Sequence, residues 1–374
     1  MADPLYLDFN ATTPLLPEVV DAMLPFLREH FGNPSSGHVY GQRAKAAVAN
    51  ARAQVAALIG CTPAEVLFTS GGTEANNLAL VGLWHARRFR GVVTSVVEHP
   101  ATSAPVHRLE REGALVVRLP VDGRGVAVLP ASVDGPMLAS LMHANNETGV
   151  LQPVQDLARL VHAAGGLVHT DASQTVGKLV VDVRALEVDA LTVCAHKLYA
   201  PKGVGALYLR DGVVTTPVLL GASHERGLRP GTENVASIVG LGAACEVARR
   251  TLETEAARVT TLRDSLEAAL AARVPGLVVN GAGAPRLPNT LSVRFPRASG
   301  SDVLANAPGL AASTGSACHD GHETASGVIL AMGVPPSEAA GTVRLSLGRS
   351  TTPTDVAFAA EHLAEAWRRA SALR

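Results

Sequence analysis

The chain has few lysines, and two of them stand close together. Only four of its 32 basic residues are lysine, and Lys197 and Lys202 both lie in the segment 195–203. Lys197 follows an apolar stretch, 190–193, that is typical of a buried strand. A lysine amine at the end of a strand can form a Schiff base, because burial lowers the pKa of an amine and frees its lone pair. A surface lysine in a turn is the alternative, and the residues near Lys197 bear on the choice.

A carboxylate follows another apolar stretch. Asp171 comes directly after the predicted strand 167–170. A carboxylate there could pair with a pyridinium nitrogen, the partner that lets pyridoxal phosphate accept electrons. An aspartate at this point is also typical of a turn or of a helix N-cap. The presence of Lys197 at the end of another predicted strand favours the interpretation of Asp171 as a cofactor-binding residue.

A turn with two glycines could hold a phosphate. The segment 69–77 runs from a predicted strand through Gly71 and Gly72 to Thr73 at a helix start, where backbone N–H groups and hydroxyls are free. It matches neither the Walker loop nor the dinucleotide fingerprint, so it does not indicate a nucleotide. A structural turn capped by Thr73 is equally compatible. His99, just past a further strand, is a candidate ring-stacking or acid–base group, or an ordinary loop histidine.

One cysteine stands in a small, polar loop. Cys318 lies in the segment 313–323, and no large apolar residue follows it until Val328. His319 and His322 could stabilise the thiolate, which is the nucleophilic form of cysteine. The same histidines and the acidic residues beside them also resemble a metal-ligand cluster, but no regular element supports that spacing, so we expect no metal.

Composition excludes several classes of partner. The chain has 374 residues, of which 47% are hydrophobic and 3% aromatic, and its formal net charge is −1. Nucleic acids and anionic membranes select a basic excess, so we expect neither as a partner. The four cysteines lie far apart without a C-x-x-C spacing, which argues against a disulfide framework or a zinc knuckle. No signal sequence or bilayer-spanning stretch is visible, and we expect a cytoplasmic protein.

Short apolar strands alternate with helices over most of the chain. This alternation predicts an α/β fold with a mostly parallel sheet between helices, and ligands beyond the carboxyl ends of its strands. After about residue 232 the pattern changes to two long helices and a smaller α+β unit. The predicted strands are 66–69, 92–97, 115–119, 137–142, 167–170, 190–193 and 205–209, then 277–279, 290–294 and 343–347. The predicted helices are 73–90, 101–112, 154–164, 233–253, 255–273, 301–305 and 354–372.

Several segments, in order and nearly end to end, resemble the cysteine desulfurases of the NifS/IscS type in the class V aminotransferase superfamily. The resemblance implies a fold-type I pyridoxal-phosphate-dependent transferase with a seven-stranded sheet, acting as a homodimer. It further implies a large cofactor-binding domain over 15–258, and a small α+β domain over 259–374 with residues 1–14 that carries the catalytic cysteine loop. The matching segments are 7–14, 32–38, 69–77, 98–99, 142–149, 171–174, 196–197, 224–234, 316–318 and 343–349.

The same resemblance implies a role for each site residue. Lys197 would hold pyridoxal 5'-phosphate covalently, His99 would stack on its ring, and Asp171 would pair with its nitrogen. Where the family usually has serine or threonine, this chain has Cys194, and a thiol is a weaker donor that could reduce cofactor affinity. Gln174 would contact the phenolic oxygen; Gly72, Thr73, Cys194, His196 and the partner subunit's Thr232 would bind the phosphate; Asn146 would lie at both cofactor and substrate; and Asn33, Asn146 and Arg344 would bind the substrate, Asn146 and Arg344 at its α-carboxylate.

The activity implied is conversion of L-cysteine to L-alanine. The Cys318 thiolate would attack the substrate sulfur and keep it as a persulfide for an acceptor protein in iron–sulfur cluster assembly or thiolation. A selenocysteine lyase shares the fold and cofactor, and the segment 317–322 resembles that branch as well. Another enzyme of the class V aminotransferase superfamily would have no use for Cys318. A non-catalytic cofactor-binding or scaffold protein would have no reason to retain the lysine, aspartate, histidine, arginine and cysteine together.

Overall fold

The computed structural model describes residues 3–315 and 325–372. Its strands are β1 (Leu5–Tyr6), β2 (Val66–Thr69), β3 (Gly91–Ser95), β4 (Leu115–Leu119), β5 (Met137–Ser140), β6 (Leu167–Asp171), β7 (Ala190–Cys194), β8 (Gly205–Leu209), β9 (Val278–Val279), β10 (Thr290–Arg294), β11 (Leu310–Ala311) and β12 (Thr342–Ser346). Its α-helices are α1 (Pro17–Arg28), α2 (Val39–Ile59), α3 (Gly72–Ala86), α4 (Pro100–Arg111), α5 (Val154–Ala163), α6 (Val235–Arg273), α7 (Gly300–Ala305), α8 (Gly327–Ala331), α9 (Pro336–Ala339) and α10 (Pro353–Ala372).

Seven short strands form the central sheet, in the order β2-β8-β7-β6-β5-β3-β4. Only β8 runs antiparallel to its neighbours β2 and β7, and the other pairs are parallel. The mostly parallel seven-stranded sheet is thus confirmed, and each of its strands coincides with a predicted one. Because β2, β3, β6 and β7 share a direction, the loops that follow them meet at one edge of the sheet.

Helices cover both faces of this sheet, as its apolar strands require. One core cluster joins α2, α5 and the first half of α6 to the sheet, with Val55, Leu157 and Leu241 among its members. A second cluster lies under α3 and α4 and includes Leu80 and Leu109. Strands β2, β3, β5, β7 and β8 are buried along their whole length, which explains why their sequences do not alternate between apolar and polar residues.

A smaller core forms around an antiparallel sheet of order β12-β10-β9. It packs against α7, α10 and the second half of α6, with Val343, Val303, Leu363 and Leu266 among its residues. Leu7, which follows β1, is also buried in this cluster. The N-terminal segment therefore packs with the C-terminal part of the chain.

One helix serves both cores. The prediction of two helices over 233–253 and 255–273 was wrong, because α6 is a single helix of 39 residues. The stretch between the two predicted helices contains neither glycine nor proline, so nothing in the sequence ends the helix there. Residues up to Ala248 pack in the large core and residues from Val259 in the small one. None of the helices in the described ranges is long and apolar enough to cross a membrane.

Candidate active site

A cavity of about 600 Å³ lies at the carboxyl edge of the central sheet. It is lined by loops that follow β2, β3, β6 and β7, and by residues of the N-terminal segment and of β12. The sheet therefore brings together residues that lie hundreds of positions apart in the chain. The predicted site residues that line it are Gly72, Thr73, His99, Asn146, Asp171, Gln174, Cys194, His196, Lys197 and Arg344.

Lys197 ends a short 3-10 turn that follows β7. Two residues later, Tyr199 adopts a left-handed backbone conformation (φ 61°), which is unusual for a bulky residue. Its N–H donates to Thr13 Oγ1 (2.7 Å), and its hydroxyl accepts from the Arg349 N–H (2.8 Å). These contacts hold the strained turn and so fix where Lys197 leaves the backbone.

Asp171 is a buried carboxylate that stays ionised. The Ser173 N–H donates to its Oδ1 (2.9 Å), and Asn76 Nδ2 donates to its Oδ2 (2.7 Å). Burial opposes the charge, but the hydrogen bonds from Ser173 and Asn76 and the nearby Lys197 outweigh it and lower the pKa of Asp171. The site thus presents a fixed negative charge to one side of the cavity.

The N-terminus of α3 opens into the cavity, where the free N–H groups of its first turn favour an anion. Gly72 keeps this space open: a Cβ there would stand 3.2 Å from Ser173 Oγ and 3.4 Å from Cys194 Cβ. Burial raises the pKa of the Cys194 thiol, although Lys197 and the amides of Gly72 and His196 lower it in part. Cys194 is therefore a neutral S–H donor beside the helix N-terminus.

Two neutral imidazoles line the same cavity. His99 is the N-cap of α4, and its Nδ1 accepts from the Ala101 N–H (3.1 Å), which assigns the ring proton to Nε2. Burial, and then the charge of Lys197, lowers the pKa of His99. Burial likewise lowers the pKa of His196 to about 4, and its Nδ1 lies 3.2 Å from Thr12 Oγ1. Both rings are held by the backbone or by a hydroxyl and carry no charge at neutral pH.

Arg344 presents an unused hydrogen-bond donor next to the cavity. Its Nη2 donates to Asp8 Oδ1 (2.6 Å) and its Nη1 to the Asn146 carbonyl (2.9 Å). Its Nε is buried and has no hydrogen-bond partner among the residues that the structure describes. A buried N–H without an acceptor is costly, so a ligand oxygen that accepts from it would be bound favourably.

Three residues that support the site had no predicted role. Asn76 and Ser173 hold Asp171, and Asp8 holds Arg344. A signal for Asn76 existed in the sequence, since it stands one helical turn after Gly72 and so faces the same side as the start of α3. No local pattern links Asp8 to Arg344.

Two predicted site residues that the structure describes, Asn33 and Thr232, do not line this cavity. Asn33 is exposed in the loop between α1 and α2, where its Oδ1 accepts from the Ser35 N–H (2.9 Å). Thr232 is exposed in the loop before α6. Cys318, with His319 and His322, lies outside the described residues. The roles assigned to Asn33, Thr232 and Cys318 stay predictions.

Known proteins are similar to this chain in sequence and in fold over almost their whole length. The Aminotransferase class-V family matches residues 5–358. The cysteine desulfurase NifS of Azotobacter vinelandii is 47% identical over 95% of this chain and 90% of its own. A solved NifS-like protein is 38% identical, with a TM-score of 0.90 over 97% of this chain and 98% of its own. A solved structure of SspA in complex with cysteine is 32% identical, with a TM-score of 0.81 over 92% and 98% of the two chains. The chain therefore belongs to the class V aminotransferase family, among relatives that are cysteine desulfurases of the NifS type.

Proposed function

We propose that the protein is a pyridoxal-phosphate-dependent cysteine desulfurase that converts L-cysteine to L-alanine and keeps the sulfur on Cys318. The observation that carries this proposal is the make-up of one cavity. A lysine amine, an ionised buried carboxylate and an arginine with an unpaired N–H face the same space: Lys197, Asp171 and Arg344. Relatives that carry the name cysteine desulfurase support the choice of substrate.

The residues of the cavity fit pyridoxal phosphate. The N-terminus of α3 suits a phosphate, with Gly72 and Thr73 contributing N–H groups and Cys194 and His196 further donors. Asp171, held ionised, suits a protonated ring nitrogen, and the neutral face of His99 suits an aromatic ring. When bound, pyridoxal phosphate supplies an aldehyde for amines and a ring that accepts electrons from the substrate α-carbon.

The substrate amino acid would bind through its carboxylate at Arg344. The guanidinium is fixed on one side by Asp8 and the Asn146 carbonyl, so the free Nε–H is held ready without loss of side-chain entropy. The Asn146 side chain lies in the same part of the cavity and would orient the bound amino acid. The Lys197 amine, which lines the same cavity, would accept the proton of the substrate α-carbon.

Sulfur transfer needs one thiol of this chain and no external oxidant. The substrate Cβ–S bond breaks, a bond forms between that sulfur and Cys318 Sγ, and Cβ gains a proton. L-Alanine is released, and Cys318 is left as a persulfide with the thiol proton on its outer sulfur. This persulfide would then pass to a sulfur-acceptor protein.

Exposed apolar side chains near two of the predicted site residues favour a homodimer, which we propose together with a cytoplasmic location. Leu220 and Phe31 are large apolar side chains that are 88% and 78% exposed, on the loops that also carry Thr232 and Asn33. If a second copy of the chain covers these loops, Thr232 of one subunit would reach the phosphate site of the other. We further propose the division into a large domain, 15–258, and a small domain, 259–374 with 1–14; the change of core along α6 between Ala248 and Val259 supports it.

Product analysis tests the proposed function. The protein with pyridoxal phosphate, L-cysteine and a thiol reductant should release L-alanine and sulfide in equal amounts. Lys197→Ala should abolish both, whereas Lys45→Ala, an exposed lysine on α2, should leave both unchanged. Pyruvate with ammonia, or a keto acid without sulfide, would contradict the proposal and indicate another reaction of the superfamily. Release of selenide from selenocysteine with no reaction of cysteine would indicate a selenocysteine lyase.

A further inference from the structure

Lys178 has a place in the site network that the proposed function does not use. Its Nζ donates to Gln174 Oε1 and to Asn10 Oδ1, both at 3.0 Å. Burial of the amine lowers the pKa of Lys178 well below its usual value, and the cations of Lys197 and Arg344 lower it further. Burial and two nearby cations make a lysine amine unfavourable at this position. The hydrogen bonds that it donates are therefore the feature to explain.

The two bonds of Lys178 belong to a closed triangle. Gln174 Nε2 donates to the carbonyl oxygen of Asn10 (3.1 Å), while its Oε1 accepts from Lys178. A carbonyl oxygen can only accept, so the Gln174 amide fits this triangle in one orientation. With the amide reversed, two oxygens would face each other at Asn10. One N–H of Gln174 then remains, and Gln174 lines the cavity.

Asn10 gives the triangle a rigid base. It is 1% exposed, and its Oδ1 also accepts from Asn289 Nδ2 (3.0 Å). Its Nδ2 donates to Thr290 Oγ1 (2.8 Å), and its N–H donates to Ser346 Oγ (3.0 Å). These partners lie on or beside β10 and β12 of the small sheet. These bonds hold Asn10 in place without help from Lys178. Removing Lys178 therefore takes the donor from Gln174 Oε1 while Asn10 keeps its other partners.

We propose that Lys178 is a positioning residue that acts through Gln174. By donating to Oε1, it holds the amide so that the remaining N–H of Gln174 is presented to the phenolic oxygen of pyridoxal phosphate. This inference rests on the proposed function, because it needs that cofactor in the cavity. Without Lys178, Gln174 Oε1 is a buried acceptor without a donor, and the amide turns away from the cavity to find one.

A double-mutant cycle tests this inference. Lys178→Met keeps an unbranched side chain that is one atom shorter, and it removes both donated bonds. The dissociation constant of pyridoxal phosphate, measured by quenching of protein fluorescence in apoprotein, should rise about fivefold. In a Gln174→Met background, the same change should alter it less than about twofold, because Gln174 can no longer transmit the effect. Lys45→Met, an exposed lysine, should have no effect in either background.

A second variant keeps the test valid if Lys178→Met does not fold. Lys178→Gln retains an N–H donor, and we expect its cofactor affinity within about twofold of the wild type. An equal loss from Lys178→Met in both backgrounds, or an equal loss from Lys178→Gln and Lys178→Met, would overturn the role of Lys178. Failure of the wild-type chain to bind pyridoxal phosphate would instead overturn the proposed function, and this inference with it.

Discussion

Asn76 Nδ2 donates to Asp171 Oδ2 across 2.7 Å and so joins the first turns of α3 to the end of β6. The same nitrogen donates to Thr102 Oγ1 of α4 (3.2 Å), while the Asn76 Oδ1 is buried and finds no partner within residues 3–315 and 325–372. An unpaired, buried side-chain oxygen lowers the stability of the folded protein, so this arrangement of Asn76 does not serve stability. Its function is to keep that carboxylate ionised at the point where the cofactor nitrogen would bind.

Asn76→Ala should therefore weaken cofactor binding. The ionised form of Asp171 loses the donor that Asn76 supplies and keeps those of Ser173. Hydrogen bonds to charged groups are worth about 1.5–3 kcal/mol. We expect the pKa of Asp171 to rise and the dissociation constant of pyridoxal phosphate to increase about tenfold. Asn77→Ala changes a half-buried residue of the same helix that does not line the cavity; it is the matched control and should have a much smaller effect. Unchanged affinity in Asn76→Ala would show that Ser173 alone keeps the carboxylate ionised.

Arg344→Lys should weaken the binding of cysteine. A lysine cannot present the Nε–H while it also bonds Asp8 and Asn146, so the substrate carboxylate loses a donor. We expect KM for L-cysteine to rise about tenfold to a hundredfold, with a smaller change in kcat. Steady-state kinetics of alanine formation measure both constants.

Arg294 offers a matched control for this change. It lies on the neighbouring strand β10, and its Nε is also buried with no partner in the described part of the chain, but it does not line the cavity. Arg294→Lys should leave KM unchanged. A similar rise in KM from both substitutions would indicate that the change disturbs the small sheet, and not that Arg344 binds the substrate.

The sequence predicted elements and motifs better than it predicted contacts. All seven strands of the central sheet were predictable because each is a short apolar run between polar loops, and such runs are local. The single helix α6 was not, because Glu253, Thr254 and Glu255 interrupt the apolar pattern without breaking the backbone. The bonds that Asn76, Asp8 and Lys178 make depend on side chains that only the folded chain brings together. Asn33 and Thr232 do not reach the cavity of their own chain, which no single-chain pattern indicates.

Glu98 should make the stability of the apoprotein depend on pH. Burial raises the pKa of its carboxyl group from 4.5 to about 8, although hydrogen bonds from Ser95 and Met142 lower it in part. Between these two pH values the folded protein holds a proton that the unfolded chain has released. The contribution of Glu98 to the free energy of unfolding is therefore complete below about pH 4.5 and is lost as the pH rises through about 8.

A comparison with Glu98→Gln isolates this effect. Buried histidines such as His143, whose pKa burial lowers to about 4, act in the opposite sense, but they are present in both proteins. Chemical denaturation from about pH 5 to pH 8 should show the stability difference shift steadily in favour of Glu98→Gln. Glu29→Gln, at an exposed site, corrects for the loss of a carboxylate as such. A difference that does not vary with pH would contradict a protonated Glu98.

The proposed partner contribution of Thr232 can be tested by mixing subunits. Lys197→Ala should be inactive and Thr232→Ala should bind the cofactor weakly. If Thr232 acts across a dimer, a mixed dimer of these two variants contains one site with both residues intact. Co-refolding the variants should then give activity well above the sum of the separate proteins. Activity no greater than that sum would place Thr232 outside the partner's site.

Cys318 is proposed to receive the substrate sulfur, and the mass of its peptide tests this role directly. The holoprotein is mixed with a single equivalent of L-cysteine, without reductant, and the peptide that contains Cys318 is weighed. We expect a mass gain of one sulfur atom on that peptide, in step with the L-alanine formed, and none on the peptides that contain Cys61 or Cys245. In Cys318→Ala, no persulfide should form in step with L-alanine. Alanine formation by Cys318→Ala at the wild-type rate, or added sulfur on another cysteine, would contradict the proposal that Cys318 receives the substrate sulfur.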